Sequence, residues 1–314
     1  MSTQTATSKE TNAQTRPPKP KAGFFSHFKL SIKTAPYYFL LPAILVFGAF
    51  MVYPVISSLI LSFQTFDMGE YSFVALDNYK TLMGDPIFWQ ALGNTCIYLI
   101  IQVPAMVVLS LTFATLLDQK FLKGRTLFRM SLFLPSITAL VAYALIFKLL
   151  FNTEYGMINY MLSMFGVDKI DWLNTAWGAR FTIIAGITWR WTGYNMIIMI
   201  AGLQAIPLEL YESADIDGAG AWKKFWYITV PMMKSIILFV SITSTIGTLQ
   251  MFDESFILTN GGPDNATITV GHYLYNSGFR YFKFGYAAAI SYVLVLVIGI
   301  LSFLQFKFTN GGED

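Results

Sequence analysis

The sequence predicts an all-α polytopic membrane protein with six transmembrane helices. Three observations carry that prediction. Of the 314 residues, 55% are hydrophobic and only 12% charged, half the charged share of about 25% usual for a soluble domain. Six apolar runs each supply the roughly 20 helical residues that a hydrocarbon core of about 30 Å requires. Lysine and arginine then fall unevenly on the segments between those runs.

The runs lie near residues 38–63, 91–117, 127–151, 181–203, 233–257 and 285–306. Their length excludes a β-barrel, whose strands are about 10 residues long and alternate in polarity. Pro42, Pro54, Pro104 and Pro135 fall inside runs, which is tolerated where neighbouring helices satisfy the freed carbonyls. The 28 Phe, 17 Tyr and 7 Trp suit lipid-facing surfaces and interfacial aromatic belts. Residues 1–23, rich in Ser, Thr, Gln, Lys and Pro, hold almost nothing to bury and read as a disordered tail. No short apolar core and cleavage site follow them, so they do not read as a signal peptide. Residues 24–37 mix Phe24, Phe25, Phe28 and Leu30 with Lys29 and Lys33 and read as an interfacial segment; 307–314 form a second tail. With a cytoplasmic N-terminus, fourteen Lys and Arg face inward, and five, Lys80, Lys169, Arg180, Arg280 and Lys283, face outward. That bias places both termini in the cytoplasm.

Composition also excludes function classes. A net charge of +3 is too small for nucleic-acid binding. One cysteine, Cys96, rules out an intrachain disulfide framework and a thiol-built metal site. His27 and His272 are too far apart in sequence to begin a metal cluster, so neither metal nor cofactor is expected in this chain. The string Gly218 to Lys224 lacks the second glycine and the hydroxyl residue of a phosphate cradle. ATP binding by this chain alone is therefore not expected.

The segment between runs four and five, Gln204 to Pro231, has the most structured pattern. Pro207 suits the first turn of a helix, and Glu209 and Glu212 suit its positive end. Asp217-Gly218 supplies a stop, because glycine takes the left-handed conformation that ends helices. A second short helix is expected from about Ala219, with Trp222, Phe225 and Trp226 on one face and Lys223 on another, ending at Pro231. Such a helix–turn–helix fits another protein's groove, and equally fits a loop whose aromatics dip into lipid headgroups.

The string Glu212-Ser213-Ala214, then Asp217-Gly218-Ala219, Phe225, Ile228 and Pro231 resembles the EAA signature of permease subunits of ABC importers. Ser213 replaces the middle alanine and Val230 the leucine before the proline. Phe73 to Tyr79 with Phe88-Trp89 and Asn94-Thr95 looks like the first external loop of binding-protein-dependent sugar permeases, with Ala75 at a position usually glycine. Leu258 to Pro263 and Phe284 to Ala289 resemble elements of the subunit type related to the larger maltose permease. The resemblance covers roughly residues 38–306 and implies a type I ABC-importer permease fold of a prokaryotic cytoplasmic membrane. It further implies that Glu212, Ser213, Ala214, Asp217, Gly218 and Ala219 form the coupling helix that docks on an ATPase. The implied partners are a second permease subunit, a paralogue by the absence of the usual C-terminal extension of that partner type, two cytoplasmic subunits carrying ATP and Mg, and an extracytoplasmic sugar-binding protein.

Polar side chains within spans mark the candidate pathway, since a charge at the helix centre costs about 2.5–3.5 kcal/mol on insertion scales. Sugars stack apolar faces on aromatic rings and bond their hydroxyls to amides and carboxylates. Trp191, Tyr194 and Asn195 in run four, with Gln250, Asp253 and Glu254 at the end of run five, offer those groups. The plainer reading stays open: Trp191 and Tyr194 pack helices, Asn195 bonds a backbone, and Arg190 pairs with Asp253 or Glu254. Rival functions are an ABC permease for a solute such as glycerol phosphate, which should demand more basic groups than Arg190, and a secondary carrier. A carrier would need ion-coupling residues at the midplane and inverted repeats, and none is legible.

Overall fold

The computed structural model describes residues 35–67, 69–119 and 122–310. The tail at 1–23, most of the interfacial segment at 24–37 and residues 311–314 lie outside the described residues. The chain divides into two compact units, residues 1–55 and 56–314.

In the first unit, α1 (Ala35–Phe47) runs into a π-helical turn (Gly48–Val52) and the start of α2 (Tyr53–Ser62). Ala35–Ser62 is long and apolar enough to cross a membrane. It buries nothing up to Val55, and Phe39 and Phe50 are 80% and 78% exposed. A helix apolar on every side needs nonaqueous surroundings.

The second unit begins with the end of α2 and a two-stranded hairpin absent from the sequence reading, β1 (Gln64–Asp67) and β2 (Glu70–Phe73), with Gln64 opposite Phe73. After α3 (Asp77–Met83) comes α4 (Pro86–Asp118), whose 33 residues extend about 50 Å at 1.5 Å per residue. The Asp85 carboxylate caps it by accepting from the Ile87 and Phe88 amides, and Pro86 takes the first helical position, where its missing N–H costs nothing. Next are α5 (Arg125–Ile137), α6 (Leu140–Leu150), α7 (Met157–Ser163) and α8 (Ala176–Leu203), the last capped by Thr175. The chain continues through α9 (Leu208–Ile216), α10 (Ala221–Lys224), a π-helical turn (Phe225–Thr229), α11 (Val230–Met232) and α12 (Lys234–Leu249). A π-helical turn at Ser255–Thr259, α13 (Val270–Tyr275), another such turn at Asn276–Arg280, and α14 (Phe284–Asn310) complete it.

Among the described residues, three helices are long and apolar enough to span a membrane, and up to six crossings result if each of three bent pairs counts as one. Two of the bends fall within or at the edge of the runs near 127–151 and 233–257. Helices α5 and α6 meet at 101°, because Thr138 and Ala139 are extended. Pro135, tolerated as expected, stays inside α5. The segment 221–232 meets α12 at 67°, so the bend falls at Met233 and not at Pro231. The π-helical turn before Pro231 shifts the hydrogen-bond register, and the helix passes through the proline to Met232.

The core lies along α4. Phe88 and Ala91 pack with Leu249 and Ile290; Tyr98 packs with Tyr143, Ile183 and Ile187; Leu111, Ala114 and Leu117 pack with Met196, Met199 and Met233. Ser110 donates to the Thr192 carbonyl across α4 and α8 at 2.9 Å. At Gly193 the α5 backbone approaches so closely that a Cβ would lie 1.8 Å from the Leu132 oxygen. Only glycine admits this contact.

Candidate functional site

Two places gather the residues singled out in the sequence. One is a cavity of about 390 Å³ where α8 faces the end of α12. Trp191, Tyr194, Asn195, Gln250 and Asp253 all line it, with Gln102, Arg190 and Glu254. Irregular backbone is tolerated at membrane depth only where protein buries it or it borders a cavity, and the chain after the end of α12 at Leu249 borders this one. Gln250 to Phe252 are not helical, and the Met251 carbonyl accepts from the Thr269 hydroxyl at 2.6 Å. This break turns Gln250 and Asp253 toward α8.

Each side chain in the cavity has a distinct situation. Trp191 and Tyr194 are 36% and 44% exposed, with rings edge to face at 5.7 Å. Asn195 is buried; its amide donates to the Trp191 carbonyl at 3.1 Å and contacts the Met106 sulfur at 3.2 Å. Its Oδ1 accepts from no protein donor in these contacts. Buried Gln102 accepts from the Thr248 hydroxyl at 2.9 Å. Arg190 pairs with Glu254 at 3.7 Å and lies over the rings of Tyr143 and Trp191. The plainer readings of Asn195 and Arg190 therefore also describe contacts that exist.

The second place is the loop from α9 to α11. Pro207 precedes α9 as its cap residue, not in its first turn, and Glu209 lies in that turn. Glu212, Ser213, Asp217 and Gly218 are exposed; Ala214 and Ala219 are half-buried and joined by a backbone bond of 2.8 Å. Gly218 has φ +72°, the left-handed conformation that ends α9 as expected. The following helix begins at Ala221, two residues later than expected. Trp222, Phe225 and Trp226 share a face, with ring centroids 5.3–6.3 Å apart, and Trp222 is 74% exposed. Tyr211 bonds Thr229 at 2.9 Å, and Lys224 pairs with Asp215 at 2.7 Å.

The family model described as binding-protein-dependent transport system inner membrane component matches residues 32–308. The chain belongs to that family. A lactose transport system permease protein from Rhizobium radiobacter is 46% identical over 85% of this permease and 91% of its own length. An arabinooligosaccharides transport system permease protein from Halalkalibacterium halodurans is 38% identical over 89% of each chain. The fold matches, with a TM-score of 0.76 and 23% identity, a chain of a bacterial ABC transporter involved in the import of the acidic polysaccharide alginate, covering 88% of this permease and 95% of that chain. The type I permease fold is thereby shared.

The permease also has a cross-braced region that sequence reasoning only touched. Asn94 donates to the Asn265 and Ile268 carbonyls at 2.9 and 3.0 Å and accepts from Arg180 at 2.9 Å. Arg180 also donates to the Ala266 carbonyl at 3.0 Å, and the Val270 amide donates to Thr95. Asn94-Thr95 was legible only as part of a motif, and Arg180 only as a charge. Asp85 accepts from the hydroxyls of Tyr273 and Tyr286. Burial raises its pKa, but those two bonds and the Ile87 and Phe88 amides outweigh it and hold the carboxyl below the usual range. Burial first, then the bond to Asp85, pushes Tyr273 up to about 12. His272 is fully buried against Ser255 at 2.9 Å; burial, then the charge of Arg280, lowers its pKa to about 4.

Proposed function

We propose that this permease is one membrane subunit of an ATP-driven importer that carries a sugar, of oligosaccharide size, across a prokaryotic cytoplasmic membrane by alternating access. The cavity carries the reading. It joins exposed aromatic faces at Trp191 and Tyr194 to the amide of Gln250 and the carboxylate of Asp253, and its volume falls within the 300–1,000 Å³ usual for small-ligand sites. The lactose and arabinooligosaccharide names of the relatives favour a sugar over glycerol phosphate.

The exposed residues Glu212 to Gly218, with Ala214 and Ala219, serve as the coupling helix. An external binding protein delivers the sugar, and two cytoplasmic ATPase subunits, holding ATP and Mg, close and move that helix. This chain does no covalent chemistry. A second, paralogous permease completes the path, and both termini lie in the cytoplasm, as the Lys and Arg bias favours.

A cysteine at Ala219, in a chain with Cys96→Ser, tests the assignment. A nucleotide-sensitive crosslink to the co-purifying ATPase is expected. Its absence from every position between Glu212 and Ala221 in an assembled complex would sink the coupling role. Asn195→Ala should change uptake affinity without changing assembly, and unchanged transport would return Asn195 to a packing role.

A further inference from the structure

The charge of the cavity bears on which sugars it admits, an inference that rests on the sugar reading above. One basic and two acidic side chains line it: Arg190, Asp253 and Glu254. Arg190 is already engaged. Its Nη1 stands 3.7 Å from Glu254 Oε1, both side chains are mostly buried, and the guanidinium covers the rings of Tyr143 and Trp191 at 5.1 and 5.4 Å. Asp253 is exposed and forms no ion pair among the described residues. The lining thus sets one cation against two carboxylates. The remaining polar groups, such as Gln102, Asn195, Thr248 and Gln250, are neutral.

We propose that this wall of the pathway accepts neutral oligosaccharides and rejects carboxylate-bearing ones such as uronates, with Asp253 as the rejecting group. A site discriminates as much by the groups it leaves unpaired against the wrong ligand as by contacts to the right one. Arg190 Nε is buried and has no protein partner among the described residues, so the guanidinium meets the cavity only through its paired end. It does not neutralise an added carboxylate, because its charge is met by Glu254 and Asp253 lines the same cavity. Two like charges about 6 Å apart at an effective dielectric of roughly 20 weaken binding on the order of tenfold to a hundredfold.

The test uses the assembled importer in nanodiscs without its binding protein, so that selection at that protein does not enter. Equilibrium dialysis of radiolabelled lactose, maltotriose and arabinotriose, against di- and trigalacturonate, reads affinity directly. At least one neutral sugar should bind, the uronates at least tenfold more weakly, and Asp253→Asn should narrow that gap at least threefold. Asp253→Lys should reverse the order. Uronates binding as tightly as the neutral sugars, or a gap untouched by Asp253→Asn, would overturn the charge filter and leave the sugar reading standing. Binding of none of the sugars by a complex that still hydrolyses ATP would instead overturn the sugar reading.

Discussion

At one end of α8, Arg180 reaches across to α4 and to the loop before α13; at the other, beyond Gln204, the α9–α11 loop is tied chiefly to itself. The 28 residues of α8 separate these regions by about 42 Å. Bonds in the first region join residues far apart in sequence: Asn94 to Asn265 and Ile268, Arg180 to Ala266, Asp85 to Tyr273 and Tyr286. Side-chain bonds in the second join near neighbours, Tyr211 to Thr229 and Asp215 to Lys224, while Trp222, Tyr227 and Ile216 stay exposed. The first region satisfies these polar groups within the chain, although His272 Nε2 and Asn276 Oδ1 are buried there without a partner among the described residues. The second leaves those three side chains exposed while Phe225 and Val230 pack inward, as the coupling role proposed above requires.

Asn94→Ala should produce the largest effect. It strips donors from two carbonyls and an acceptor from Arg180, and a buried unsatisfied group costs about 1–3 kcal/mol. A loss of about 2–3 kcal/mol in the melting of the purified complex is expected, with faster hydrogen exchange over residues 260–270. Unaltered melting would break the comparison.

Acid should loosen the same region next. The folded pKa of His272, about 4, lies below the ordinary value near 6.5. The unfolded chain therefore binds more protons between those values, and stability is full above pH 6.5 and falls as pH drops toward 4. His272→Gln should flatten the melting profile across that window. Asp85 adds its loss only lower, since its carboxyl protonates below the usual carboxylate range. A profile identical in wild type and variant would remove His272 from the account.

Gly218→Ala should cost about 1 kcal/mol, because φ +72° strains a residue with a Cβ, and should slow nucleotide-driven uptake more than it lowers melting. Trp222→Ala should change melting by less than about 0.5 kcal/mol, as expected for an exposed site, yet weaken association with the ATPase severalfold in pull-down. Melting lowered as far as by Asn94→Ala would show that Trp222 braces the chain itself.

Run length made the long apolar helices legible, and residue type picked out side chains that line one cavity, because these are properties of local sequence. The bends were not. Pro231 pointed to a helix end, yet it sits within a helix, whereas interruptions that no residue announced fall at Thr138–Ala139 and Gln250–Phe252. The second is held by Thr269, a hydroxyl distant in sequence. The choice of Glu254 over Asp253 as partner of Arg190 likewise exists only in three dimensions. In the loop, helix end and aromatic face were readable because capping and i, i+3, i+4 spacing act over a single turn.

Severed at Met233 and again after Leu249, α12 becomes a strut between two joints. Its 16 residues make a stiff link of about 24 Å, with its foot next to the α9–α11 loop and its head at the cavity floor. No non-helical residue lies between the two joints, so the link is suited to carry a displacement of its foot to its head under the coupling role proposed above. One residue inserted in the link would advance the head by about 1.5 Å and swing it through about 100°, carrying Gln250 away from Trp191 without altering either side chain.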